Sequence, residues 1–162
     1  MASKILISTL FRDDNRLQMA AVSHKYHVTI GDQGLYVRRI QYFLLGVGAL
    51  QAMYAEDQAN GEDAEAKIAL FNAEVDSISY GDATAQAVLI YKKTNKIIGS
   101  GYQTAADNIV GVMTIRHMDK VATTGKSSSV EQRKTIAASA ANTLKPAIMA
   151  GMTVGSRVIA RH

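Results

Sequence analysis

Four histidines, two adjacent carboxylate pairs and a Gly-Lys-Ser triplet are the places where this 162-residue chain invites a chemical reading. His24 and His27 lie three positions apart, but neither a His-Glu-x-x-His nor a His-x-x-Glu-His pattern accompanies them, and His117 and His162 stand alone. They read as surface histidines rather than metal ligands. Asp13-Asp14 and Glu56-Asp57 have the composition of acid/base pairs. Each sits in a polar run, where carboxylates are solvated and lack the burial that tunes a catalytic pKa. Gly125-Lys126-Ser127 has the ending of a phosphate-binding loop, yet the motif's first glycine falls on Lys120 and no hydrophobic strand precedes it, so it reads as a flexible linker. Without cysteine there is no thiol nucleophile, disulfide or thiolate metal site, and no Gly-x-Ser-x-Gly elbow is present. The expectation is a chain that is not an enzyme and takes no metal or cofactor.

Hydrophobic residues at 48% and charged residues at 20% match a globular domain with a packed core. A single proline, Pro146, and abundant alanine favour helix over strand. The charge is unevenly placed. Between Ala49 and Asp76, seven acids face one base, Lys67, a net −6; with +4 overall, the rest carries +10. From Val121 onward six bases face one acid, Glu131. Such asymmetry suits either two surfaces with different protein partners or two solvated faces of opposite sign. The bases are dispersed without interleaved aromatics, which argues against nucleic acid as a partner. The apolar run near the N-terminus is interrupted by Ser8 and Thr9 and followed by Arg12-Asp13-Asp14, unlike a secretory signal. No segment reaches the roughly 18 apolar residues of a membrane span. A cytoplasmic or virion-associated location, or delivery by a dedicated machine, is then expected.

Apolar periodicity divides the chain into helices. Ile5 to Leu10 predicts a short strand or extended arm. Asn15 to Val22 predicts a short helix capped by Asn15. Val28 to Ile30 is extended, and Gly31-Asp32-Gln33-Gly34 a turn. Val37, Ile40, Leu44 and Val47 place one stripe on a helix from about Leu35 to Val47, stopped by Gly46 and Gly48. Gln51 to Val75 predicts a helix pair broken near Asn60-Gly61, with Ile68, Leu70, Phe71 and Val75 on its apolar face. A later helix turns Ala87, Val88 and Tyr91 inward and Lys92 and Lys93 outward, and another begins at Thr114. After a linker of small polar residues, a thin-striped helix and a basic tail complete the chain. The divisions are an arm over 1–14, a helical domain over 15–120 with an insertion at 49–75, and a linker with C-terminal helix and tail over 121–162.

Two segments thirty positions apart share one design: Tyr80-Gly81-x-x-Thr84 and Val110-Gly111-x-x-Thr114. A bulky residue plugs the core, glycine permits a turn, and threonine in the opening helical turn can bond a free backbone N–H. In their order these segments resemble the three-helix peptidoglycan-binding domain family. The resemblance runs through Gly31-x-x-Gly34, Val37-x-x-Ile40-Gln41, Leu44 and Val47-Gly48. It continues through Tyr80-Gly81-x-x-Thr84-x-x-Ala87-Val88-x-x-Tyr91-Lys92 and Asp107-Asn108-Ile109-Val110-Gly111-x-x-Thr114, covering Asn15 to Asp119, about two-thirds of the chain. Departures are Asp76-Ser77 for the family's Asp-Gly, Lys92 for its glutamine, and the acidic insertion.

The resemblance implies an all-α fold: a small helical bundle of the peptidoglycan-binding type with a helical insertion and a C-terminal helical appendage. It implies a noncatalytic module whose ligand is cell-wall peptidoglycan or a related glycan-peptide, held in a groove between the repeat helices. Tyr80, Thr84, Tyr91, Tyr102, Gln103 and Asn108 are the expected lining, aromatic faces for sugar rings and amides or hydroxyls for peptide polar atoms; Tyr80 and Tyr91 also stand where the family places core aromatics. The alternative is a structural or adaptor protein of a phage particle or contractile injection system. It would dock other proteins, or copies of itself, through the acidic insertion 49–75 and the basic tail 121–162.

Overall fold

A computed structural model describes residues 3–97 and 106–124 of the chain. Among them are six α-helices, one 3-10 turn and no strand. The helices are α1 (Asn15–Ala20), α2 (Leu35–Gly46), α3 (Ala49–Ala59), α4 (Ala64–Asp76), α5 (Asp82–Thr94) and α6 (Val112–Thr124), with the 3-10 turn at His24–Tyr26 between the first two. The all-helical bundle expected from the sequence is the fold observed. None of these helices is long and apolar enough to cross a membrane.

The helices begin and end where the local chemistry directs. Asp14, rather than Asn15, caps α1: its carboxylate accepts from the Leu17 N–H at 3.0 Å, placing the cap one residue earlier than predicted. Gly48, in the left-handed region at φ 81°, joins α2 to α3, and Gly61 at φ 75° ends the predicted break between α3 and α4. Asp63 then caps α4 through the Ala66 N–H. Beyond α4 the chain takes a left-handed turn at Ile78, φ 50°, a conformation a β-branched residue adopts only when its surroundings impose it. Here the imposition is visible: Ile78 donates to the Val75 carbonyl and accepts from the Gly34 N–H.

The stretch from Val28 to Gly34 is the seam of the molecule. Val28 exchanges both backbone bonds with Val110 at 2.9 Å, while the Gly31 N–H donates to Tyr80 and the Tyr80 N–H donates to Asp32. Both repeat segments are thereby stapled to one short extended piece. Around it, Val37, Ile40 and Leu44 of α2 pack with Leu50, Met53, Ile68, Phe71, Val88, Ile115 and Met118, all essentially without solvent exposure. Val47 is only partly buried and Leu70 is exposed, so the predicted stripes are one residue too long at each of these places.

Residues 49–75, expected as a helical insertion, form part of the common core. Their helices α3 and α4 pack against each other and against α5, and supply Leu50, Met53, Ile68 and Phe71 to the common core. Two of the block's seven acids, Asp57 and Glu74, are buried, which corrects the solvated reading of Glu56-Asp57. Asp57 accepts from Gln86 Nε2 of α5 at 2.8 Å, a partner twenty-nine positions away that no local pattern reveals.

Of the two readings of Ile5 to Leu10, a short strand or an extended arm, the strand is not formed. Leu6 and Phe11 are fully buried, and the backbone between them is held by side chains. Gln18 Oε1 accepts from Ile5 and Leu6, and the carboxylate of Asp119 on α6 accepts from Ile7 and Ser8 at 2.9–3.1 Å. Residues 3–11 form a strap tied to α1 and α6. The predicted boundary at 120 falls inside α6, which continues to Thr124; the expected C-terminal helix and tail lie outside the described residues.

Candidate functional site

The two Gly-x-x-Thr segments launch α5 and α6, as their shared design predicts. At the first, Tyr80 is buried, its phenol pushed well above the usual range by desolvation and then by the nearby carboxylates of Asp107, Asp32 and Glu74. Its hydroxyl donates to the Asn108 carbonyl, linking one segment to the other. Thr84 does not cap the helix in the expected way. Its Oγ1 accepts from Gln41 Nε2 at 2.9 Å, and the helix is capped instead by the buried carboxylate of Glu74. That carboxylate accepts from the N–H groups of Gly81, Ala83 and Thr84 at 3.2, 3.0 and 2.8 Å. Three charge-assisted bonds thus satisfy the first turn and set a negative charge at the positive end of the helix.

Tyr91 continues a run of aromatic contacts through the core. Its ring meets Phe43 edge-on at 5.3 Å and His117 at 5.7 Å, and Phe43 in turn meets Phe11. The Tyr91 hydroxyl and His117 Nδ1 lie 2.7 Å apart, a bond that ties α5 to α6. Burial raises the Tyr91 phenol, and burial followed by the charge of Lys120 lowers His117 below the ordinary imidazole value.

Three of the expected lining residues, Tyr80, Thr84 and Tyr91, are thus core side chains without a face for a ligand. Asn108 is half-buried and serves Tyr80 through its carbonyl. Tyr102 and Gln103 lie outside the described residues.

A cleft of about 200 Å³ does open between the end of α5 and the start of α6. Lys92, Ile97, Asp107 and Ile109 line it together with the first turn of α6 from Gly111 to Thr114, and with His24 and His27 from the 3-10 turn and the residue after it. Lys92, predicted to point outward, is only 5% exposed. It pairs with Asp107 Oδ1 and donates to the Ile109 carbonyl at 2.8 Å, residues fifteen and seventeen positions further along the chain. A buried ammonium requires such partners. Among the described residues, no group of three or more metal-ligating side chains comes together, at the histidines or elsewhere.

None of the expected lining residues lines this cleft; His24, His27 and Gly111 are among the residues that do, and sequence reasoning assigned them no part in a ligand site. Spacing alone could not nominate the histidines, because their role as a wall depends on Val28 pairing with Val110. Gly111 was visible only as half of a repeat.

Comparisons of the chain with protein-family models, with curated proteins and with solved structures find no match.

Proposed function

We propose that this domain is a noncatalytic binding or anchoring module that takes a glycan-peptide of the peptidoglycan class at the cleft beside α6. One observation carries the reading: the cleft lies between the end of α5 and the start of α6, the two helices whose Gly-x-x-Thr segments bear the resemblance to peptidoglycan-binding domains. Its wall mixes apolar side chains, imidazoles and backbone polar groups, the mixture that small-ligand sites use for fit and orientation. Lys92 and Asp107 are committed to each other, an arrangement suited to shaping a wall rather than to moving protons. The test is co-sedimentation of the full chain with purified sacculi. The chain is expected in the pellet, and His24→Ala/His27→Ala, two exposed positions, is expected to return it to the supernatant. Wild-type chain left in the supernatant would refute the proposal.

A second reading, a structural or adaptor protein of an assembly such as a phage particle or contractile injection machine, draws support from the strap. Ile5 and Ile7 are 42% and 58% exposed on a backbone hydrogen-bonded to Gln18 and Asp119. Apolar side chains presented in this way suit contact with another protein surface. Self-association in light scattering that disappears in Ile5→Ser/Ile7→Ser would favour this reading, and a monomer throughout would count against self-assembly.

A further inference from the structure

Two surfaces of the bundle present apolar side chains to solvent, and their charges are opposite. The first is made by the strap, α1 and α6, which are tied together by bonds between side chains and backbone. Gln18 accepts from Ile5, Asp119 accepts from Ile7, and Arg116 Nε donates to the Ala21 carbonyl at 2.8 Å. Ile5, Ile7, Met19 and Val22 are exposed on these elements. The exposed charges of residues 3–22 and 112–124 are Lys4, Arg12, Arg116 and Lys120 against one acid, Asp13.

The second surface is the outer side of α4. Ala66, Ala69, Leu70 and Ala73 recur at the spacing of one helical face and are all exposed, while Ile68 and Phe71 are buried on the other side. A helix that is apolar on two sides gains from being covered on both. Among residues 49–76, every exposed charge is an acid: Glu62, Asp63, Glu65 and Asp76. α1 packs with α6, whereas α3 and α4 pack with each other and with α5, so the two surfaces belong to different parts of the bundle.

We propose that the strap–α1–α6 surface of one copy of this chain docks on the α4 surface of a second copy. Charge selects this pairing. Either surface laid against itself would set like charges across a desolvated contact, which is repulsive. The unlike pairing puts Arg116 and Lys120 among acids while it buries isoleucine and methionine against leucine and alanine. Short alanine side chains beside Leu70 leave room for the longer side chains opposite. Because the two surfaces differ, the contact is heterologous: each copy in a pair keeps one surface free, and association continues head to tail into a chain or closes into a ring. The inference is independent of the cleft. It rests on the second reading of function and deepens it, by naming what the strap touches.

The experiment is light scattering over a concentration series, on the full chain and on two variants at exposed positions. Ile7→Glu disables the first surface and Leu70→Arg the second. Wild type is expected to gain mass with concentration. Each variant alone should associate at least about tenfold more weakly, with its unfolding midpoint unchanged. An equimolar mixture of the two should form a complex again, because one copy supplies an intact strap surface and the other an intact α4 surface. If either variant misfolds, the charge reversals Lys120→Glu and Glu65→Lys, also at exposed positions, carry the same expectations alone and mixed. Weakened variants that fail to pair on mixing would overturn the proposal. Self-association that is lost in Ile5→Ser/Ile7→Ser but retained in Leu70→Arg overturns this inference alone and leaves the second reading standing. A wild-type monomer at every concentration overturns the inference and removes self-assembly with it.

Discussion

Among the described residues, the start of α5 is closed by a carboxylate and the start of α6 borders a cleft, although both place a bulky residue, Tyr80 or Val110, a glycine and a threonine in the same register. The difference lies in what the rest of the chain brings to them. α4 delivers Glu74 to the first, and its carboxylate takes the donors a helix leaves unsatisfied. To the second, the 3-10 turn and the end of α5 bring walls around a gap. A local motif therefore fixes where a helix starts, while a distant residue decides whether that start is a structural joint or an accessible surface.

Substitutions separate these two helix starts. The largest effect is expected for Glu74→Ala, which strands three N–H groups in a buried setting at a cost of about 3 kcal/mol in urea unfolding. Glu74→Gln, retaining one carbonyl oxygen, should recover part of that loss. Gly81→Ala comes next, because its methyl must displace the Glu74 carboxylate, a cost of about 2 kcal/mol. The paired variant Gly111→Ala should stay within about 0.5 kcal/mol of wild type. Equal losses at the two glycines would break the comparison outright. Thr84→Val should cost about 1 kcal/mol, since Gln41 Nε2 loses one of its two acceptors and keeps the Ser79 carbonyl.

The smallest effect concerns pH and the bond joining the launched helices. His117 holds its proton less tightly when folded than when unfolded, because burial and Lys120 lower its pKa. The unfolded chain therefore binds more protons in the window between the lowered value and the ordinary value of about 6.5. The stability His117 contributes is complete above that ordinary value and is lost as pH falls through the lowered one. Urea midpoints measured at descending pH should drop less steeply for His117→Gln than for wild type. Identical slopes would mean that the Tyr91–His117 contact carries no protonation linkage.

Helix placement was legible where one segment contains its own instructions. Val37, Ile40 and Leu44 announce α2 by spacing, and Gly48 and Asn60-Gly61 mark the joints on either side of α3. The paired Gly-x-x-Thr starts were equally plain. What escaped depends on residues far apart in the chain: Glu74 as a cap, Lys92 turned inward by Asp107, Asp57 meeting Gln86, and Asp119 holding the strap. Charged side chains in polar runs look solvated until a distant donor or ion pair appears. The candidate site suffered for the same reason. Tyr80 and Thr84 belong to the repeated design and Tyr91 to the helix it launches, but all three are core, and the cleft wall includes glycine and histidine instead.

Asp119 has a consequence for how the domain can be held. By gripping Ile7 and Ser8 on the later turns of α6, it places the strap toward the end of that helix away from Gly111 and the cleft. Asp119 lies seven residues along α6 from Val112, roughly 10 Å. A linker attached ahead of Ser3 would immobilise the domain from this far side and leave the mouth of α6 facing solution, a convenient geometry for beads or sensor surfaces.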